Sequence, residues 1–382
     1  CSKVKTEEEF FEAARAATII GTLQAGFTDV GYLEETSKAI IDREALIGVS
    51  MTGIMEQHEI CLSPTMQKEA AKIVKQVNKE IAKKIAINQA ARCTCVKPEG
   101  TASCILGTSS GIHPHHAKRY IRRVQANKME DIYKYFQSIN PRACEESVWS
   151  ANDTDDVISF CIEVPDGSKT KNQISAIDLL KSVKSTQQNW VIGGTNKNLC
   201  TQPWLVHNVS NTINVTAEEW GDVEDFIYDN RKWFCGISLL PVTGDKDYPQ
   251  APFTAVYLPS KVVSHYGDGA MFVSGLIEVA LKLWEDNLWA ACDSLLGIGA
   301  KPKGEAKHEW IKRCKKFSNK YFNSEVKNLT YCMKDVYNYK LWTELKREYV
   351  DVDFKNVIEE NDVTNFEGES ACAGGYCEVT KL

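Results

Sequence analysis

The stretch RCTCVKPEGTASCILGTSSGIHPHH (residues 92–116) interrupts the helical periodicity of the chain on either side of it. It reads as a short strand, a tight loop, a second short apolar run and another polar loop, and the basic run KRYIRRVQANK (residues 118–128) follows. Upstream, Thr6 and Glu9 have the spacing of a capping box, and Phe10, Ala14, Ala17 and Leu23 then recur at helical intervals. ALIGVSMTGIME (residues 45–56) reads as a buried strand and turn, with Gly48 and Gly53 as breakers. Ser63 and Pro64 are an N-cap and first-turn pair that opens a long helix with an expected apolar stripe of Ile73, Val77, Ile81 and Ile85. Downstream, a helix is expected near residues 176–190 on Leu179, Leu180 and Val183. HNVSNTINV (207–215) alternates like a strand, and Thr216 with Glu219 caps a helix carrying Trp220, Val223 and Ile227. CGISLLPV (235–242) reads as a buried strand, and residues 271–296 as a long amphipathic helix. Strands alternating with long helices define an α/β fold.

Composition narrows the class. The 382 residues carry a net charge of −6 and are 43% hydrophobic and 25% charged, which is ordinary globular composition with room for a sizeable core. Weak acidity argues against a nucleic-acid partner, and no apolar run reaches the ~18–20 residues of a membrane span. No signal-peptide pattern opens the chain. The 14 cysteines lack a regular framework spacing, so a reducing cytoplasm with mostly buried, inert thiols is expected. The body is read as residues 1–350. From Asp351 to Glu369 seven acidic residues face one Lys355, so 351–382 is read as a solvated, flexible acidic tail ending in ACAGGYCEVTKL.

Four groups can carry chemistry. Cys372 and Cys377 are separated by Ala-Gly-Gly-Tyr, and the glycines let the backbone close a small disulfide ring. On a mobile arm such a pair can collect reducing equivalents at one place and deliver them at another by thiol exchange; two inert tail cysteines or half a zinc site are the plainer readings. KPEGTAS (97–103) sits at a strand end, with Gly100 permitting close approach and Thr101 and Ser103 supplying hydroxyls, so it can cradle an anion. It lacks P-loop spacing, and an ordinary turn is the alternative. His113, His115 and His116 precede Lys118, Arg119, Arg122, Arg123 and Lys128, a field suited to phosphate or simply a solvated face; the histidines are too close together for one metal site without remote partners. Cys93 and Cys95 alternate along a strand and read as buried and inert.

Taken together these segments resemble ribonucleotide reductases, specifically the C-terminal portion of the adenosylcobalamin-dependent (class II) ribonucleoside-triphosphate type. The resemblance runs in order through ATIIGTLQAGFTD (17–29), LIGVSMTGIME (46–56), VKPEGTASCILGTSSGIHPHHAKRYIRRVQANK (96–128), VHNVSNTINVTAEEW (206–220), GISLLPVTGDKDYPQAPF (236–253) and ACAGGYCEV (371–379). It implies the C-terminal half of a ten-stranded α/β barrel built from two parallel five-stranded halves, with a finger loop through the centre. It also implies replacement of a ribose 2′-hydroxyl by hydrogen through a thiyl radical. Barrel cysteines reduce the substrate and become a disulfide, which the tail pair re-reduces. Carried over, Cys372 and Cys377 match the shuttle pair, and Pro98, Glu99, Gly100, Thr101, Ala102 and Ser103 match the substrate-phosphate loop. The implied cofactor is adenosylcobalamin. The implied partners are a ribonucleoside triphosphate, the N-terminal half of the reductase and a thioredoxin-type reductant.

This sequence departs from the family pattern. The finger-loop motif N-P-C-G-E does not occur in it, nor do the N-terminal half of the barrel and the effector region, so the portion is expected to be inactive alone. Cys1 is followed by Ser2 and Lys3, so it does not match the C-N-L context of a barrel reductant cysteine and is placed a few residues downstream of it. A start at Cys1 fits a split gene, an expression fragment or an intein-interrupted gene, because a cysteine can be the first residue after an intein. Tyr337 and Tyr339 are separated by Asn338, unlike the Tyr-Tyr relay of the di-iron class, and Cys372 stands where the glycyl-radical class has Arg, which leaves cobalamin. The competing readings are a non-catalytic His/Cys metal-binding protein and a stand-alone thiol–disulfide carrier.

Overall fold

The computed structural model describes residues 1–150, 153–242, 249–285 and 326–357, together with positions 312 and 316. In chain order the helices are α1 (Glu7–Ala25), α2 (Glu35–Glu44), α3 (His58–Cys61), α4 (Pro64–Lys84), α5 (Gly100–Leu106), α6 (Asp131–Ile139), α7 (Ala176–Thr186), α8 (Trp220–Asn230), α9 (Pro259–Tyr266), α10 (Ala270–Glu285) and α11 (Leu329–Glu348). The strands are β1 (Arg119–Asn127), β2 (Cys144–Glu146), β3 (Asp155–Glu163), β4 (Thr212–Val215), β5 (Ser238–Pro241) and β6 (Phe253–Ala255). The protein is therefore mixed α/β. It divides into two compact units, one of residues 1–117 and 164–243, the other of 118–163 and 244–382. No helix among the described residues is long and apolar enough to cross a membrane.

The first unit is organised by parallel backbone pairing. Val49 bridges Thr94 in parallel, Val96 bridges Val209 in parallel, and β4 pairs β5 in parallel from Thr212–Ser238 to Val215–Pro241. Four extended segments, at 47–49, 93–96, 209–215 and 238–241, are thus linked by parallel pairing. This is the pattern expected of strands joined by helical crossovers. The ten-stranded barrel implied by the resemblance extends well beyond these segments. Within residues 235–242 a strand forms at Ser238–Pro241, and it is largely exposed, against the buried strand expected from its apolar composition. Among the described residues it pairs on one edge, with β4.

The capping signals hold. The Thr6 hydroxyl accepts from the Glu9 N–H, and the Ser63 hydroxyl accepts from the Met66 N–H with Pro64 in the first turn. The buried faces differ from the expected stripes. On α1 the buried residues are Phe10, Ala14, Thr18 and Thr22, while Leu23 is exposed. On α4 they are Gln67, Ala70, Ala71, Val74, Val77, Asn78 and Ala82, with Ile73, Ile81 and Ile85 on the flank. Small and hydrogen-bonded residues occupy the inner faces: Asn78 Nδ2 donates to Thr22 Oγ1 at 3.0 Å, and Thr18 and Thr22 donate to carbonyls one turn back. Pairing of the Thr18, Thr22 and Asn78 side chains in this way removes most of their desolvation cost. Leu179, Leu180 and Val183 of α7 are buried as expected, and the helix continues into a π turn, Gln187–Val191, that seats Trp190 in the same core.

The second unit carries an antiparallel sheet of order β2-β3-β1-β6. Its helices α9, α10 and α11 share a core that includes Val262, Tyr266, Val273, Ile277 and Val336. The basic run forms β1, and its cations are taken up within this unit. Arg119 pairs with Glu163 at 2.7 Å, Arg123 donates to Thr254 Oγ1 at 2.6 Å, Lys128 pairs with Asp153, and the Arg122 guanidinium lies 4.0 Å over the Phe253 ring. The run is thus a strand in which Arg119 and Lys128 are matched by acids, Arg123 is hydrogen-bonded and Arg122 lies over a ring.

Candidate functional site

The candidate site lies in the first unit and begins where the segment 93–96 ends. Lys97 N–H donates to Ser50 Oγ at 2.9 Å, and Pro98 follows. Glu99 then adopts a left-handed conformation (φ 57°, ψ 32°), and the chain turns into α5 at Gly100. Residues 100–106 are therefore a short helix, a correction to the loop and apolar run expected there. Gly-Thr-Ala-Ser has weak helical character on its own, and the helix is closed by Gly107 in the left-handed region, a conformation glycine adopts without cost. A Cβ added at Gly100 would meet nothing within 4 Å, so the first turn opens onto free space. The first N–H groups of a helix have no partner within it and are suited to oxyanions.

Lys97 and Pro98 border a cleft of about 480 Å³, lined also by Leu46, Gly48, Cys95, His207 and Asn208. That volume suits a small ligand. His207 Nδ1 lies 3.2 Å from the Thr94 carbonyl, and burial lowers its pKa, so the ring is neutral near pH 7. Arg92, at the start of the same segment, pairs with Glu44 at 2.5 Å and donates to the carbonyls of Leu205 and Gln202 at 2.7 and 3.0 Å. The Glu44 carboxyl is held below its usual range by the Thr201 hydroxyl and by Arg92, against the opposing effect of burial.

Behind α5 the chain returns through residues 108–115, which are bound to a buried carboxylate. Glu56 accepts from Thr108 Oγ1, Ser109 N–H and Ser109 Oγ, each at 2.6 Å, and lies 2.9 Å from His115 Nε2. Burial pushes the Glu56 pKa up, but the hydrogen bonds from His115, Ser109 and Thr108 together outweigh it and hold the value down at about 2. His113 is fixed from both sides: Nδ1 lies 2.9 Å from the Ser110 carbonyl, and Nε2 accepts from the Thr212 N–H at 2.8 Å. That pattern demands the neutral Nδ1–H tautomer, and burial lowers the His113 pKa accordingly. A ring committed at both nitrogens has no lone pair for a metal, and no group of His, Cys, Asp and Glu among the described residues could hold one.

The other sequence candidates fall as follows. Pro98, Glu99, Gly100, Thr101, Ala102 and Ser103 form one continuous turn into α5. Cys93 and Cys95 are buried, and burial pushes their thiols up to about 12 and about 11, as expected of inert cysteines; Cys95 also lines the cleft. Cys1 packs partly buried against the core of the first unit, and Ser2 sits against Gly53. Burial lowers the pKa of the Cys1 amino group, while nearby Cys61 and Glu56 act the other way. Cys372 and Cys377 lie outside the described residues. Glu56 escaped the sequence reading, although it ends a quoted segment: a carboxylate in so apolar a run needs partners, and none stands within a turn of it in sequence.

These features define a thiol-rich α/β protein whose cleft is flanked by a glycine-opened turn suited to oxyanions. No family model matches the chain. Curated relatives do. The adenosylcobalamin-dependent ribonucleoside-triphosphate reductase of Lactobacillus delbrueckii subsp. bulgaricus is 26% identical over 257 residues, which is 58% of this chain and 32% of that protein. The reductase of the same name from Lactobacillus helveticus is 22% identical over 300 residues (69% of this chain, 38% of that protein), and that of Euglena gracilis 25% over 235 residues (58% and 28%). A solved B-12-dependent (class II) ribonucleotide reductase is similar at TM-score 0.48 and 20% identity, covering 59% of this chain and 34% of that one. The chain is thus similar over more than half its length to adenosylcobalamin-dependent ribonucleoside-triphosphate reductases, and the match spans about a third of their length.

Proposed function

We propose that the chain is the C-terminal portion of an adenosylcobalamin-dependent ribonucleoside-triphosphate reductase, contributing the substrate-phosphate loop and the disulfide-shuttling tail. The observation that carries this is the 26% match over 257 residues to proteins of that name. The cleft beside Lys97 and Pro98 supports it, as does the open first turn at Gly100. In this reading the N–H groups and hydroxyls of Pro98–Ser103 hold the nucleotide's phosphates, and the rest of the reductase supplies the radical cysteine. In each cycle a barrel cysteine pair gives up two electrons and two protons to the substrate, whose 2′-hydroxyl leaves as water. The thiols of Cys372 and Cys377 then exchange with the barrel disulfide, becoming a disulfide themselves, and a thioredoxin-type dithiol restores them. The cysteines among the described residues are all free thiols, which suits a reducing cytoplasm.

The cleft described here does not fit a cobalamin. Its volume suits a ligand much smaller than a corrin with its axial adenosyl group, so no step is assigned to the cofactor on this chain's residues. The test is reduction of a ribonucleoside triphosphate with adenosylcobalamin and a dithiol. This chain is joined in one polypeptide to the remaining part of the reductase and compared with each part alone. Deoxynucleotide formed only by the joined protein, and only with cobalamin, is the expected result. A folded joined protein giving no cobalamin-dependent product overturns the proposal.

A further inference from the structure

The carboxylate of Glu56 occupies the centre of a short circuit through the first unit. It binds Thr108, Ser109 and His115, all on the loop that returns from α5. That loop in turn touches the backbone from which residues 98–103 depart. Ser110 Oγ donates to the Pro98 carbonyl, and Gly111, at φ 54°, lies so close that a Cβ there would come within 2.6 Å of the Lys97 carbonyl. On the other side, Gly53 N–H donates to the Ser109 carbonyl at 2.9 Å and Thr52 Oγ1 bridges Ser109 and Gly111 at 3.0 Å to each. His115 is further tied by backbone pairing to Lys169 and Lys171. Both carboxylate oxygens are engaged, and the side chains of Glu56 and His115 are only 3% and 4% exposed. Three donors meet Oε1 and one meets Oε2, and a buried charge satisfied in this way rigidifies the groups that satisfy it.

We propose that Glu56 is a positioning residue for nucleotide phosphates: it clamps the 108–115 loop, and that loop sets the backbone of Lys97 and Pro98 from which the phosphate-binding turn leaves. Glu56 itself touches no ligand. The proposal rests on the reading of residues 98–103 as the phosphate loop, and the experiment separates the two.

The full chain is measured as wild type, Glu56→Gln, Glu56→Asp and Val183→Ala. The last variant trims the same core and leaves the circuit intact. Two quantities are read: affinity for inorganic tripolyphosphate by calorimetry, and amide exchange of residues 97–103. Glu56→Gln keeps the shape but brings N–H donors against donors. It is expected to weaken tripolyphosphate binding about tenfold and to speed exchange at 97–103, as loosely held binding groups do. Glu56→Asp, which retains the charge, recovers part of both, and Val183→Ala changes neither despite its loss of stability. If Glu56→Gln speeds exchange at 97–103 no more than Val183→Ala does, the clamp is overturned, whatever the wild type binds. If wild type fails to bind tripolyphosphate while Glu56→Gln still loosens 97–103 selectively, the phosphate reading is overturned and the clamp stands.

Discussion

Glu56 Oε1 and His115 Nε2 face each other at 2.9 Å across 59 positions of sequence, both inside the first unit's interior. This pairing joins the end of a turn near the start of the chain to the loop behind α5.

Replacing Glu56 by Gln should cost about 2–3 kcal/mol, because hydrogen bonds to a charged acceptor are stronger than neutral ones and their donors remain buried. Thermal or urea unfolding of the variant measures it; a change below the scatter of the midpoint would mean that the hydroxyls of Thr108 and Ser109 find other acceptors.

Acid should weaken the first unit in two stages. His113 has a folded pKa below its ordinary 6.5, so the unfolded chain takes up the proton first, and stability falls as pH drops below about 6.5. Glu56 is held at about 2 against an unfolded value of 4.5. Its contribution is complete above about 4.5 and is lost between there and about 2. Urea midpoints from pH 8 to pH 3 test this. In His113→Gln the upper stage should shrink to the share carried by His207, whose pKa burial also lowers, while the lower remains.

Two glycines of the same loop should respond in opposite ways. Gly111→Ala forces a side chain into the left-handed region against the Lys97 carbonyl and should destabilise the fold by more than about 1 kcal/mol. Gly100→Ala has open space around it and should leave the melting temperature unchanged or slightly raised, while weakening tripolyphosphate binding. Equal effects of the two on binding alone would contradict the arrangement.

Thiol reactivity should sort by burial. Cys104 is exposed and should alkylate first in the native protein, Cys235, exposed but with its thiol pushed up by partial burial, should follow, and Cys61, Cys93 and Cys95, buried and with raised pKa values, should react only after unfolding. Mass spectrometry of iodoacetamide-treated peptides reads the order directly.

In the joined reductase, Cys372→Ser should permit a single turnover but abolish repeated turnover with a thioredoxin-type reductant. Full multiple-turnover activity would refute the shuttle role.

Local chemistry was legible in the sequence; long-range geometry was not. Thr6 and Ser63 announced their helices because a cap is decided within four residues. The inner face of α4 was not announced, because its small and polar residues are selected by what packs on them: Asn78 by Thr22 of α1, Ala71 by Gly193 beyond the π turn. The basic residues of β1 invited a phosphate reading, but the sequence could not show that Arg119 would lie opposite Glu163 and be paired with it. Pro98–Ser103 was singled out by its residue types, whereas the contact of Glu56 with His115 joins two segments that only folding brings together.

The glycines around the turn divide the site into a part closed to change and a part open to it. At Gly53 an added methyl would collide with Thr108, and at Gly111 with the main chain, so neither position can drift without dismantling the loop. At Gly100 the space is empty, whereas Gly107 has room but sits at φ 63°, where a side chain is strained. A library meant to alter ligand preference while keeping the protein foldable should therefore be drawn at Gly100 and at the exposed Cys104, Ile105 and Leu106, with Gly107 kept.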